Sequence, residues 1–106
     1  MEYKIHHLDL VSPDSQQPFF EEVVTKKVGR LQKILKHYPH ELVVDVFVKK
    51  EGTLEHVITA SIAMPGKKLA AEEKGTQPVL LVTNVLDKLK DLIKKQIQLQ
   101  TTEIRK

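Results

Sequence analysis

The sequence predicts an α+β domain of element order β-α-β-β-β-α, a two-layer sandwich. A mainly antiparallel four-stranded sheet is expected to carry two helices packed on one face. Three observations predict this. Residues of about 18–38 and 77–100 repeat apolar side chains at steps of three and four, the helical period. Segments 41–50, 55–64 and 68–74 read as strands separated by glycine-containing turns. At 106 residues, the chain fits a single domain spanning 1–106 with one compact core.

The first strand is "YKIHHLDLV" (3–11), rich in branched and aromatic residues. Its apolar parity shifts from Tyr3 and Ile5 to Leu8 and Leu10, which predicts a bulge near His7. "SPDSQQP" (12–18) is turn chemistry. In the helix that follows, Pro18 suits the first turn, and Glu21 and Glu22 lie toward the positive end. Phe20, Val23, Val24, Val28, Leu31, Leu35 and Tyr38 form one apolar stripe. Lys26, Arg30, Lys33 and His37 run along the opposite side, and Pro39 stops the helix.

In "ELVVDVFVKK" (41–50), Val44, Val46 and Val48 share one face. Val43, Asp45, Phe47 and Lys49 share the other. After the turn "EGT" comes "EHVITASIAM" (55–64). Ile58, Ala60, Ile62 and Met64 are expected inward, and Val57, Thr59, Ser61 and Ala63 outward. "PGK" (65–67) is a turn in which proline fixes φ and glycine supplies a positive one. "KLAAEEK" (68–74) follows as a short strand with Leu69 and Ala71 inward, broken by Gly75. The second helix buries Val82, Val85, Leu86, Leu89, Ile93 and Ile97, and residues 100–106 are expected to fray.

Composition narrows the chemistry. Without cysteine the chain has no disulfide, thiolate zinc site or cysteine nucleophile, which fits a reducing compartment. No apolar run approaches the roughly 18 residues of a spanning helix, and the N-terminus lacks a signal-peptide core. A soluble, cytoplasmic protein is expected. The net charge of +3 is distributed unevenly. Residues 1–19 carry −2 and residues 39–76 carry −1, whereas residues 20–38 and 77–106 carry +3 each. The positive charge therefore lies on the two helical segments, which points to an anionic partner.

No catalytic residue emerges. Ser12, Ser15 and Ser61 lie in a turn and on a strand outside any nucleophile elbow, and no glycine-rich phosphate loop occurs. Glu72 and Glu73 are strand neighbours that point to opposite faces, so they do not form an acid–base pair. His6 and His7 likewise diverge, and His37 and His40 bracket a helix end, with His56 distant. These histidines read as surface residues and a helix cap, so no metal or other cofactor is expected.

The lysines of "NVLDKLKDLIKKQ" (84–96) carry the functional question. Lys88 and Lys95 share a line with Asn84 and Asp91, and Lys90 and Lys94 form a second line. Asp87 and Asp91 can each reach a lysine three or four residues later, as on an ordinary solvated face. Lys27 fits that reading poorly. It lies at the edge of the first apolar stripe, where it would bury its stem and present its ammonium from the seam between the helices.

The element order, "KKVGRLQKIL" in the first helix, "ITASIAMPGKKLAAEEKG" across the hairpin and "NVLDKLKDLIKKQ" in the second helix resemble the ribosome hibernation-promoting factors. These are also called ribosome-associated inhibitor or sigma-54 modulation proteins, and the resemblance covers nearly the whole chain. It implies the same fold, and binding to small-subunit ribosomal RNA in the mRNA channel over the A and P sites. Occupying that channel would exclude tRNA and messenger during stress or stationary phase. Family basic positions fall on Lys27, Arg30, Lys88 and Lys95, and geometry adds Lys26, Lys33 and Lys94. The implied partner is the small ribosomal subunit, bound by a monomer, with neither a membrane nor a small-molecule substrate involved. The dimerisation domain of the long forms has no counterpart in this sequence.

Several positions depart from the family pattern. Gln77 and Val79 replace an Asp-x-Tyr pair, Thr83 replaces an aspartate, and Asp91 and Leu92 stand where an arginine or glutamine pair often follows "DKL". Glu72 and Glu73 add negative charge, and the loop before the first helix is longer. An alternative reading is therefore a protein-interaction or regulatory module on the same fold, docking through the wet sheet face at Val43, Phe47 and Val57. The two readings separate on whether Lys27, Arg30, Lys88 and Lys95 make one continuous positive patch or are interrupted by acids. A third, a small metal-dependent enzyme, would require a histidine cluster in a cleft.

Overall fold

The structure is a computed structural model that describes residues 2–36, 42–64 and 66–104, with side chains up to residue 98. Its elements are β1 (Glu2–His6), α1 (Gln17–Ile34), β2 (Val43–Glu51), β3 (Glu55–Met64), β4 (Lys67–Gly75) and α2 (Pro78–Ile104). The strands make one sheet in the order β1-β2-β3-β4. β1 pairs parallel to β2, because α1 returns the chain to the starting edge. β2–β3 and β3–β4 are antiparallel hairpins. The expected α+β sandwich is the observed architecture.

One sheet face is apolar and both helices cover it. Val44, Val46, Val48, Ile58, Ala60, Ile62, Met64 and Leu69 form a single core with Phe20, Val24, Val28 and Leu31 of α1. Val82, Val85, Leu86, Leu89 and Ile93 of α2 complete it. Each fully buried aliphatic or aromatic side chain contributes roughly 1.5–3 kcal/mol of transfer free energy. Val23 and Ile97 flank this core, while Tyr38 lies outside the described residues.

The N-terminal segment differs from expectation. The first strand ends at His6, and His7 takes a left-handed conformation with φ 66°. A 3-10 turn over Leu8–Leu10 follows, closed by Leu10 N–H to His7 O at 2.9 Å and Val11 N–H to Leu8 O at 3.0 Å. The parity shift thus comes from a reversal of helical sense at one residue, not from a bulge. That turn drops Val11 into the core at 0% exposure. A second 3-10 turn, Asp14–Gln16, leads into α1, and the Ser12–Pro13 peptide is cis.

The helix ends also differ. α1 stops at Ile34 rather than near 38, capped by Leu35 N–H to Leu31 O at 3.0 Å. Pro39, His37 and His40 lie outside the described residues. α2 runs from Pro78 through Ile104. Twenty-seven residues at about 1.5 Å per residue make α2 about 40 Å long. The turns behave as read: Gly52 and Gly66 take φ of 77° and 81°, where a side chain would be strained.

On the open sheet face, Val57 and Ser61 point outward but are buried, contrary to expectation. Val57 is flanked across the strands by Lys49 and Lys74. Ser61 sits between Asp45 and Ala70. Phe47 is exposed on this face as its parity indicated, and Phe19 is exposed at the start of α1. His56 is the clearest correction: it is buried, not a surface residue.

Candidate nucleic-acid interface

α1 and α2 lie side by side on the sheet, and their shared seam holds Lys27. Its side chain is only 18% exposed and its ammonium donates to Asp87 Oδ1 at 2.7 Å. The expected seam position is correct, but the charge is already matched by an acid on the facing helix. Asp87 therefore does not serve a lysine along its own helix, as the sequence spacing had indicated.

Lys88 is also paired. It projects from α2 onto Glu73 of β4, with Nζ and Oε1 2.5 Å apart. Glu73 reaches the helix because its register partner is Ile58, an inward residue, which places Glu73 on the helix-covered side of the sheet. Its parity with Leu69 and Ala71 was legible in the sequence; which lysine it meets was not. Lys26 pairs with Glu22 one turn back at 2.9 Å, and both side chains are well exposed.

Arg30, Lys33, Lys94 and Lys95 are exposed and make no ion pair among the described residues. Arg30 and Lys33 continue the exposed line that starts at Lys26. Lys94 and Lys95 line a shallow depression of about 260 Å³ with Asp91, Leu92 and Gln98. Thr83, at a family aspartate position, donates its hydroxyl to Val79 O at 2.9 Å. The cationic surface is thus split: clasped to acids at Lys27 and Lys88, and, among the described residues, unclasped at Arg30, Lys33, Lys94 and Lys95.

Two further clusters exist. On the open sheet face, His6 stacks on Phe47 with ring centroids 4.4 Å apart and donates from Nε2 to Asp45 Oδ1 at 2.9 Å. At the β2–β3 end, His56 lies across from Lys50 on the helix side of the sheet. Ser12 N–H donates to His56 Nε2 at 3.2 Å, which puts the proton of the neutral ring on Nδ1, a buried atom without a hydrogen-bond partner. Burial, and then the charge of Lys50, push the His56 pKa below its ordinary value. Lys50 in turn donates to Ser12 Oγ at 2.9 Å. No group of three or more histidines and carboxylates is placed to hold a metal among the described residues. No described helix is long and apolar enough to cross a membrane.

Comparison with solved structures identifies the fold. The Thermus thermophilus Protein Y N-terminal domain superposes with a TM-score of 0.60 at 20% identity, covering 89% of this chain and 93% of that one. A ribosomal subunit interface protein from Coxiella burnetii gives a TM-score of 0.61 at 16% identity, covering 92% and 99%. No curated protein matches the chain by sequence. The profile of one family matches residues 15–99, from the turn before α1 through the paired and unpaired lysines of α2. This chain therefore belongs to the Sigma 54 modulation protein / S30EA ribosomal protein family.

Proposed function

We propose that this chain is a cytoplasmic, ribosome-associated hibernation factor that binds and does no catalysis. In this reading it lies on small-subunit RNA in the mRNA channel over the A and P sites and excludes tRNA and messenger. Family membership supports the ribosome as partner. The observation that carries the binding mode is the helix pair clasped by Lys27 and Asp87, with Arg30, Lys33, Lys94 and Lys95 outside every ion pair among the described residues. Folded RNA is recognised mainly by backbone and shape, which suits a fixed array of cations without base-reading side chains. Lys26 and Lys88 join this array by exchanging a carboxylate partner for a phosphate. Lys27 acts from beneath, holding the two helices in register.

The test is co-sedimentation with purified ribosomal subunits across a salt series, with and without competing tRNA. Retention with the small subunit that is lost on adding salt or tRNA is the expected result, because each neutralised phosphate steepens the salt dependence. A chain that stays at the top of the gradient at low salt would overturn the proposal.

The clasps at Asp87 and Glu73 favour a second reading, since they interrupt the patch at two of the four family basic positions. In that reading the fold serves as a protein-interaction module and docks through the open sheet face around Phe47.

A further inference from the structure

We infer that Glu73 is an affinity-setting residue of the RNA site: a built-in competitor that occupies Lys88 until a phosphate displaces it. The inference rests on the ribosomal reading above and concerns how tightly that site holds its partner. The two clasps differ in a way that decides which can open. Lys27 is 18% exposed in the seam, so a phosphate has little access to its ammonium. Lys88 is 55% exposed, while its partner Glu73 is only 27% exposed.

Mobility is asymmetric as well. Glu73 stands on the edge strand β4, held in register by pairing with Ile58 of β3, and its side chain is shorter than that of Lys88. Lys88 has a long flexible stem on the outer part of α2 and can swing away from the sheet. An approaching phosphate therefore draws Lys88 outward and leaves Glu73 behind as an unpaired carboxylate. Exposed ion pairs are weak, so the exchange is accessible. The abandoned carboxylate, with Asp91 one turn further along α2, then repels the phosphate that replaced it. Glu73 thus lowers affinity and favours release, which suits a factor that must leave the ribosome when translation resumes.

The test is a double-mutant cycle of wild type, E73Q, K88A and E73Q/K88A. Binding to purified small subunits is measured by fluorescence titration across a salt series, and thermal melts confirm folding. E73Q is expected to bind about two- to fivefold tighter, the range of a released surface ion pair. Its salt slope should match that of the wild type, because Lys88 meets a phosphate in both proteins and only the carboxylate left behind differs. The gain should vanish in the K88A background, because it acts through Lys88. An equal gain in both backgrounds would make Glu73 a diffuse charge only and overturn the inference. Unchanged affinity in E73Q while wild type binds would overturn it too, leaving the ribosomal reading intact. If neither protein binds at low salt, the reading and the inference both fall. E73A repeats the arm should the glutamine variant melt early.

Discussion

Lys27 on α1 and Asp87 on α2, 60 positions apart in the chain, meet at 2.7 Å across the helix seam. Lys27 is largely buried and Asp87 is about half-exposed, so the pair acts as a clasp between two helices rather than as a docking point for solvent ions. Losing either partner should loosen the helix pair. For Asp87→Asn we expect a loss of about 1 kcal/mol, the net worth of a partly screened charge-assisted hydrogen bond. Lys27→Met, which keeps the stem packing, should cost about as much. Urea melts of the two single variants and the double variant would show the pairwise coupling. An additive double mutant would mean the clasp contributes nothing.

The unclasped lysines should behave differently. Replacing Lys94 and Lys95 with glutamine should leave the melting temperature unchanged, since both side chains are exposed. The same change should lower the salt slope of small-subunit binding by about 1.4–1.8, two phosphate contacts' worth. Reversal of both to glutamate should abolish retention. Lys27→Met should weaken binding less than either change. Intact binding of the double reversal would remove these residues from the interface.

The buried His56 makes stability depend on pH. Burial comes first and the Lys50 charge second in pushing its pKa below 6.5, so the unfolded chain takes up this proton more readily than the native one. Its contribution is whole above the unfolded value and is lost as pH falls from about 6.5 through the lower folded value. Protonation also removes the Nε2 acceptor from Ser12 N–H. Urea midpoints should therefore drop on acidification through this window. A His56→Leu variant should be less stable at neutral pH but should show a flatter profile there. A wild-type profile that is level across the window would refute the assignment.

Phe47 separates the two functional readings. It is 41% exposed on the sheet face opposite the helices and stacked by His6. Phe47→Ser should leave small-subunit binding within about twofold, because the cationic helices are unaffected, and should cost about 1 kcal/mol or less of stability. Loss of subunit retention in a folded F47S protein would move the binding surface to the sheet.

The sequence by itself determined the elements and their buried faces. Helical and strand periods are local properties of backbone geometry, so Val44, Val46 and Val48 on one strand face and Val82, Val85 and Leu89 on one helix stripe could be read directly. The net positive charge of both helical segments was equally visible, as was the family likeness. The shift of parity at His7 was visible too, but its cause was not, because a left-handed residue and a 3-10 turn leave the same trace as a bulge. Spacing along α2 gave Asp87 and Asp91 lysine partners on their own helix. Only the tertiary structure decided that Asp87 faces Lys27, Glu73 faces Lys88 and His56 is sealed beneath Ser12. The reason is physical: an ion pair forms between the side chains that folding brings together, and Asp87 met one across the helix seam. Periodicity tells which face of an element is polar, whereas the packing of one element against another selects which charges cancel and which stay available.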